Sequence, residues 1–301
     1  MVGDAGNQSI YGFGSNVNQQ LGFHIPDSEK QKHVISPQLI EPLNSMFFGG
    51  GMGDGLGHGL SGGLGGGHRI VQISTGLEHS LFLSASGRVF SCGDNFHGQC
   101  GVISHDPQQI VDPEDGADGV SRGYIESIQL IPLLYDIEKI ACGAFHNLCI
   151  DRNHNVWGFG CNESGELALG PYLTMPKVCA AVMNLHFFEG KGILKKNSGD
   201  DLDIVDVKCG DMHSMVFSSN GKVYLFGANS SGQIGNGSCG ESVNVPYCIQ
   251  DGDIGRELRF VAGDCGCNHT LLVSNVPRND LYGFGGNGFG QIGTSKGYRL
   301  Y

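Results

Sequence analysis

One pattern recurs from end to end of this chain of 301 residues. Its clearest copy runs from Val207 to Gly235 and contains Gly-Asp-Met-His-Ser, then Gly-Lys-Val-Tyr, then Gly-Ala-Asn-Ser-Ser-Gly-Gln-Ile-Gly. The same positions recur at intervals of 67 residues in two earlier copies, and a shortened copy follows. A partial copy, residues 10–22, opens the chain. Self-similarity at a nearly fixed period is the signature of repeat architectures, so this repeat constrains the fold before any other feature.

Each full copy predicts four short strands. The apolar runs 80–84 and 214–218 are each followed by a Gly-containing turn and a second apolar run, which is the pattern of a β-hairpin. Two further extended candidates precede each hairpin, for example 38–40 and 69–73 in the first copy. Glycines are expected where the backbone takes a positive φ or approaches another strand closely. Units of four antiparallel strands that bury their faces against one another predict a β-propeller.

The predicted fold class is therefore all-β: a single propeller-like domain of four-stranded antiparallel blades, with about four full blades, a lone N-terminal strand and an incomplete ring. The predicted limits are a lone outer strand and linker at 1–33, blade 1 at 34–101 with a Gly-rich insert at 49–68, blade 2 at 102–170 with an acidic insert at 102–126, blade 3 at 171–237 with an insert at 183–203, and blade 4 with a short tail at 238–301.

The joint motif Gly-x-x-His-Ser/Thr, Gly-x-Val-Tyr/Trp and Gly-x-Asn-x-x-Gly-Gln-Leu/Ile-Gly resembles the repeat of the regulator of chromosome condensation family. The resemblance extends over nearly the whole chain. The departures are Gln19 in place of Gly in the opening copy, Cys100 in place of Leu in the second, and Gly-Glu-Leu-Ala at 165–168 in the third. A single Trp argues against WD repeats.

The resemblance implies a ring of seven blades, closed where the N-terminal strand joins a sheet finished by the C-terminus. Eight residues after Gly293 cannot supply the strands needed to pair with 10–14. We therefore expect an open arc with a free sheet edge and exposed apolar faces at its ends. Three explanations stay open: a fragment of a longer product, which is favoured; a ring completed by another chain; and a capped arc.

Composition limits the classes of function. The formal net charge is −12, from 18 Lys and Arg against 30 Asp and Glu, which argues against direct nucleic-acid binding and against binding to an anionic membrane surface. No apolar run approaches the length of a membrane span, and the N-terminus does not read as a signal peptide. The 11 Cys are scattered singly, which favours reduced thiols in an intracellular protein, cytoplasmic or nuclear.

Two predicted inserts carry paired phenylalanines, Phe47 with Phe48 and Phe187 with Phe188, on the same predicted face in different blades. They either anchor each insert to its blade or form an aromatic hot spot for a protein partner. The acidic insert carries Asp112, Glu114 and Asp115 and is expected on the opposite face, as a solvated loop or as a contact for a basic surface.

The recurring His is expected to hold turn backbone groups rather than a metal. The residues assigned a structural role in the repeat are Gly76, His79, Gly93, Asn95, Gly143, His146, Gly160, Asn162, Gly210, His213, Gly227, Asn229, Gly266, His269, Gly285 and Asn287.

Cys265-Gly-Cys267-Asn-His269 has ligand-like spacing, but a structural zinc site usually needs a second pair of ligands, and no third group is apparent to orient a Cys/His nucleophile. The glycine-rich segment 49–68 matches a phosphate-binding pattern only by its density of glycine. No catalytic, cofactor-binding or metal-ligating residue is therefore assigned.

The leading hypothesis is a scaffold or regulatory module that binds proteins and has no chemistry of its own. The resemblance also implies an alternative, guanine nucleotide exchange on a Ran-like small GTPase, which requires no catalytic side chains. Other members of the family are scaffolds, light sensors or parts of ubiquitin ligases and kinases. A thiol-dependent or metal-dependent enzyme is the third alternative.

Overall fold

The computed structural model describes residues 10–22, 33–40, 69–102, 123–170, 178–185, 203–249, 258–276 and 279–293. Every helix or strand in these ranges is a β-strand. The strands are β1 (Tyr11–Ser15), β2 (His33–Leu39), β3 (Ile70–Thr75), β4 (His79–Ser84), β5 (Val89–Asp94), β6 (Tyr124–Leu130), β7 (Ile137–Cys142), β8 (His146–Asp151), β9 (Val156–Cys161), β10 (Val178–Asn184), β11 (Ile204–Cys209), β12 (His213–Ser218), β13 (Val223–Gly227), β14 (Val243–Cys248), β15 (Arg259–Cys265), β16 (His269–Val276) and β17 (Leu281–Gly285). Within the described ranges, no helix is long and apolar enough to cross a membrane.

The strands form antiparallel sheets whose order follows the chain. Three sheets have four strands, β3 to β6, β7 to β10 and β11 to β14, while β15 to β17 form a three-stranded sheet and β1 pairs with β2. The all-β, four-stranded prediction is confirmed.

The assignment of the outer strand was wrong. We expected the strand at 38–40 to begin the first full blade and the N-terminal strand to stand alone, but Tyr11 of β1 faces Leu39 of β2. In the same way, β6 completes the sheet of β5, β10 that of β9, and β14 that of β13. The sheets therefore cross the predicted limits at 101, 170 and 237. The periodic sequence establishes the order of the strands but not which of the two adjacent sheets an outer strand joins.

Apolar side chains fill the four interfaces between successive sheets. Leu81 and Leu83 of β4 pack with Ile140 of β7 and Phe159 of β9. The other interfaces are built in the same manner, with Ile10 and Phe82 at the first, Phe226 and Val207 at the third, and Phe217 and Phe284 at the last. Since β4, β8 and β12 are covered on both faces, every residue in them is buried. This explains why these strands read as continuous apolar runs.

Each of the two end sheets has one face that no other described sheet covers. In the first sheet Phe13 is 67% exposed and Ile35 is 88% exposed, and in the last sheet Val261 is 56% exposed and Leu281 is 67% exposed. No described strand of the last sheet pairs with β1 or β2. The described sheets therefore form an open arc, as expected from the count of strands.

Candidate functional site

Each sheet is joined to the next by a histidine beside the turn that links its first two strands. Nε2 of His79 lies 2.8 Å from Oδ1 of Asn147 in the following sheet. His146 contacts Oγ of Ser214 at 2.9 Å, and His213 contacts Oγ1 of Thr270 at 3.0 Å. We expected the histidines to bond turn backbone groups, but their rings reach across the interface instead.

The acceptors fix the tautomer of these rings. Ser214 donates its hydroxyl to the carbonyl oxygen of Glu166 at 2.8 Å, and Thr270 donates to that of Gln233 at 2.9 Å. A hydroxyl that already donates its hydrogen can only accept another, so Nε2 of the histidine must carry the proton. Asn147 behaves similarly, because its Nδ2 donates to the carbonyl of Gln99 at 2.8 Å and its Oδ1 accepts.

The three histidines are neutral at physiological pH. Burial lowers the pKa of His79 and of His213 to about 4 and that of His146 to about 3, since charging an imidazole away from water is unfavourable. Their Nδ1 atoms are buried and have no hydrogen-bond partner in the described part of the chain. A glycine accommodates each ring: a Cβ on Gly143 would lie 2.1 Å from Cε1 of His146.

A second recurring interaction, a hydrogen bond from an asparagine side chain to the backbone, closes the loop after the third strand. Oδ1 of Asn95 accepts from the backbone N–H of Cys100 at 2.9 Å, and Asn229 accepts from Ile234 at 3.1 Å. Asn162 and Asn287 make the same bond to the residue five positions on, as does Asn16 in the opening copy. The Gln or Glu before that residue caps the same loop through its side chain, as Gln99 does at the backbone N–H of His97. Sequence reasoning did not assign this glutamine a role, although it belongs to the motif.

A cavity of about 290 Å³ lies where the turns after the first strands meet. It is lined by Thr75 to Leu77, Cys142 to Ala144, Cys209 to Asp211 and Cys265 to Cys267. Backbone bonds link these turns from sheet to sheet: Leu77 N–H donates to Ala144 at 3.2 Å, Ala144 to Asp211 at 2.9 Å, and Asp211 to Cys267 at 3.4 Å. We call this chain of bonds the axial belt.

The thiols at the cavity are protonated at neutral pH. Burial raises the pKa of Cys142 and of Cys265 to about 12. The exposed Cys267 donates to Oδ2 of Asp211 at 2.6 Å, and this hydrogen bond raises its pKa to about 11. Across the described ranges, no three His, Cys, Asp or Glu side chains are arranged to hold a metal ion. In the cluster of Cys265, Cys267 and His269, both thiols are therefore protonated, and the three side chains are not arranged as metal ligands.

The rim that carries these turns is acidic. We define the upper rim as the turns after the first strand and the loops after the third strand of each sheet. Its described residues include Glu78, Glu163, Asp211 and Glu241 and no Lys or Arg. The turns after the second strands form the lower rim and carry Arg88, Arg152 and Lys222.

All the partner-binding residues predicted from the sequence lie outside the described residues: Phe47, Phe48, Phe187, Phe188, Asp112, Glu114 and Asp115. The described strand ends that flank them can be placed. The ends of β2 and β10, which precede the phenylalanine pairs, lie at the lower rim, and the end of β5, which precedes the acidic insert, lies at the upper rim.

Comparisons with known proteins agree with this geometry. The regulator of chromosome condensation (RCC1) repeat matches residues 70–99, 137–166 and 204–233 in one form, and 86–150 and 220–273 in another. The human probable E3 ubiquitin-protein ligase HERC3 is 31% identical over 226 residues, which cover 75% of this chain and 18% of that protein. The chain thus spans about a fifth of the length of such relatives.

Two solved structures share the fold. Human WBSCR16 superposes with a TM-score of 0.67 at 20% identity, over 98% of this chain and 62% of that one. Prp20p of Saccharomyces cerevisiae, described together with its binding to Gsp1p and histones, superposes with a TM-score of 0.59 at 19% identity, over 86% of this chain and 50% of that one.

Proposed function

Because the chain belongs to the regulator of chromosome condensation (RCC1) repeat family, we propose that it is an intracellular, non-catalytic module that binds protein partners through its rims. The observation that carries this proposal is that the recurring polar residues are used within the scaffold. His146, for example, is bonded to Ser214, and Asn229 is bonded to the backbone of its own loop. The rims are then the variable surface on which contacts can be placed.

The chemistry of the described residues supports binding over catalysis. The interface histidines are neutral and buried, and burial or hydrogen bonding raises the pKa of the cavity thiols, so neither set provides an activated nucleophile. The ten cysteines whose side chains the structure describes are all free thiols, which fits a reducing compartment. A thiol enzyme would instead lose its activity in a Cys267→Ser variant.

The charge of the upper rim favours a basic partner. Glu78 and Asp211 lie on turns of that rim, and Glu163 and Glu241 lie on its loops. The acidic insert that carries Asp112, Glu114 and Asp115 follows β5 in the chain, and the end of β5 lies at the same rim. Because opposite charges steer association and favour the correct partner, we assign this rim to a basic protein surface.

We assign the second predicted contact with a protein partner, that of the phenylalanine pairs, to the lower rim. The phenylalanine pairs 47–48 and 187–188 connect to it through β2 and β10. If they form a hot spot, a partner would bury them in an apolar pocket.

Affinity capture with matched variants tests this function. The chain is compared with an aromatic variant, F47S/F48S/F187S/F188S, and with a charge variant, D112N/E114Q/D115N, by capture from lysate and quantitative mass spectrometry. We expect a protein that binds the parent chain and is lost selectively from one variant, while the melting temperature of that variant is unchanged. A parent chain that enriches nothing over both variants would contradict the proposal, and a collapsed melting temperature of the aromatic variant would make the phenylalanines anchors.

Nucleotide exchange is the second candidate function. Prp20p binds Gsp1p according to the description of its structure, and it shares the fold of this chain. Release of labelled GDP from a Ran-like GTPase, measured with and without the chain, distinguishes the two candidates: acceleration indicates exchange, and an unchanged rate leaves the scaffold function.

Completion of the arc by another polypeptide is a further partner proposal. It is supported by the edge of β1, which has a described neighbour on one side only.

A further inference from the structure

The cavity at the axial belt, which we call the axial cavity, is built from the same turn in four successive sheets. Each sheet contributes consecutive residues that end two positions before the repeat histidine, and the last of them is Leu77, Ala144, Asp211 or Cys267. Leu77 is 62% exposed, and Asp211 and Cys267 are exposed as well. The axial cavity therefore opens to solvent at the upper rim.

The mouth of the axial cavity changes from apolar to polar along the belt. Leu77 is bonded through its backbone to Ala144, Ala144 to Asp211, and Asp211 to Cys267, so the four side chains follow one another in this order. Leu77 and Ala144 form an apolar half, and Asp211 and Cys267 form a polar half. An occupant that matches both halves has an apolar stem and a polar head.

Asp211 supplies the charge of the polar half. Its Oδ2 accepts the thiol hydrogen of Cys267 at 2.6 Å, which leaves Oδ1 to accept from a ligand. Because this hydrogen bond raises the pKa of Cys267 to about 11, the thiol is neutral at pH 7 and adds no second negative charge. The ion pairs among the described residues all lie away from Asp211.

The surroundings of the axial cavity favour a cation as its occupant. The described part of the upper rim carries Glu78, Glu163 and Glu241 besides Asp211, and no Lys or Arg. The wall below the mouth is neutral, since burial raises the pKa of Cys142 and of Cys265 to about 12. Charges of one sign around a recess with low-dielectric walls focus the electrostatic potential into it.

We propose that the axial cavity binds the side chain of one arginine or lysine of a basic protein partner. The aliphatic stem lies along Leu77 and Ala144, and the cationic head donates to Oδ1 of Asp211. Arginine and lysine both have this amphipathic form, and a cavity of about 290 Å³ has room for either. This inference deepens the assignment of the upper rim to a basic partner and rests on it, and it names the position at which that partner is anchored.

Protection of a thiol from alkylation locates the binding. Cys267 lines the axial cavity, whereas Cys239 is an exposed thiol outside it and serves as the internal control. The probe is a short peptide of glycine and serine with one central arginine, and matched peptides carry lysine, acetyl-lysine or citrulline in its place. We expect the arginine peptide, the lysine peptide or both to slow the alkylation of Cys267 by iodoacetamide, with no effect on Cys239. The neutral acetyl-lysine and citrulline peptides should give no protection.

Two substitutions that remove one charge each separate the axial cavity from the rest of the rim. Asp211→Asn should weaken binding of the labelled cationic peptide, measured by fluorescence anisotropy, by at least about tenfold, because a charge-assisted hydrogen bond is lost. Glu241→Gln removes a charge from the same rim outside the cavity and should change the affinity by less than about twofold at physiological salt.

A second pair of variants tests the apolar half. Leu77→Asn should weaken binding about fivefold, because the aliphatic stem loses an apolar contact. Leu133→Asn is the control, since Leu133 is 57% exposed and does not line the axial cavity. Asp211 and Leu77 are both exposed, so the melting temperatures of these variants should match that of the parent chain.

Three results would each overturn the proposal: protection of Cys267 by the citrulline peptide equal to that by the arginine peptide, an unchanged affinity of Asp211→Asn, or an equal loss in Glu241→Gln. Failure of this inference is distinct from failure of the proposed function. A rim partner captured equally by the parent chain and by Asp211→Asn would contradict the axial cavity as the anchor and leave the proposed function in place. Absence of any captured protein would contradict the proposed function itself.

Discussion

Among the described glycines, those three positions before the repeat histidines leave the least room for a side chain. The imidazole of His146 lies against Gly143, whose Cβ position is also 2.7 Å from the carbonyl oxygen of Gly210 in the next sheet. A side chain at this position would displace both the ring and the neighbouring backbone. The glycine is therefore required by close packing and not by a positive φ.

Replacing Gly143 by Ala should lower the free energy of unfolding by about 3 kcal/mol, because the new methyl group overlaps the ring of His146. Gly288→Ala is the control, since nothing lies within 4 Å of its Cβ position and its φ is not positive. Urea denaturation of both variants measures the difference. If the two midpoints shift equally, the ring is not held as the structure describes.

Glu166 is a buried carboxyl at a position where other copies have glutamine. Burial raises its pKa, and its Oε2 accepts from the backbone N–H of Ser164 at 2.8 Å. Glu166→Gln should raise the free energy of unfolding at neutral pH by about 1 kcal/mol, because an amide keeps that acceptor without a buried charge. Glu163→Gln, on the exposed neighbour, should change it by less than about 0.5 kcal/mol. A loss of stability in Glu166→Gln would show that the carboxylate itself is needed.

At the scale of the element, the loop after each third strand is organised by one asparagine. The bond from Asn229 to the backbone of Ile234 recurs in all five copies, so loops of different sequence keep one shape. This shape presents the carbonyl oxygen of Gln233 to the next sheet, where it accepts a hydrogen bond from the hydroxyl of Thr270. The local loop and the interface between sheets thus depend on the same residue.

Asn229→Ala should cost about 1 to 3 kcal/mol, since it leaves the buried N–H of Ile234 without an acceptor. Asn229→Asp keeps the acceptor but sets a carboxylate oxygen against the carbonyl oxygen of Ser238, to which Nδ2 donates at 3.2 Å, so it should also destabilise the chain. Asn153→Ala, at an exposed turn, serves as the control and should be nearly neutral. The three variants are ranked by their midpoints in urea, and an alanine variant no weaker than the control would contradict the role of the loop bond.

The sequence predicts the positions of the strands well and their pairing into sheets less well. The hairpins β4 with β5 and β12 with β13 follow from apolar runs around a glycine turn, because the two strands are local to each other. The placement of β2 and β6 was missed, since a four-strand repeat reads the same wherever counting begins. The bond from His79 to Asn147 joins residues 68 positions apart, and no local pattern indicates it.

At the scale of the whole molecule, the buried histidines make the free energy of unfolding depend on pH. Their pKa values, about 4 for His79 and His213 and about 3 for His146, lie below the ordinary value of 6.5. The unfolded chain therefore binds more protons than the folded one once the pH is below about 6.5. Their contribution to stability is complete above that pH and is lost as the pH falls toward the folded values.

The free energy of unfolding should accordingly fall as the pH is lowered through about 6, with a slope that approaches about 1.4 kcal/mol per pH unit for each histidine. The buried carboxyls Asp94 and Glu166, whose pKa values are raised, oppose this slope above their ordinary range. Urea denaturation at a series of pH values measures the effect. His146→Gln should reduce the slope by about a third; an unchanged slope would mean that this ring is not buried in its neutral form.

The axial belt has a consequence for how a chain of this kind diversifies. Successive histidines are 67, 67 and 56 residues apart, yet the glycine carbonyls of neighbouring turns stay within 2.5 to 2.7 Å of the same Cβ positions. The distance between neighbouring turns of the axial belt therefore does not depend on the number of residues between them. Sequence added between the turns can therefore create new recognition surfaces on the rims while the contacts of the axial belt are kept.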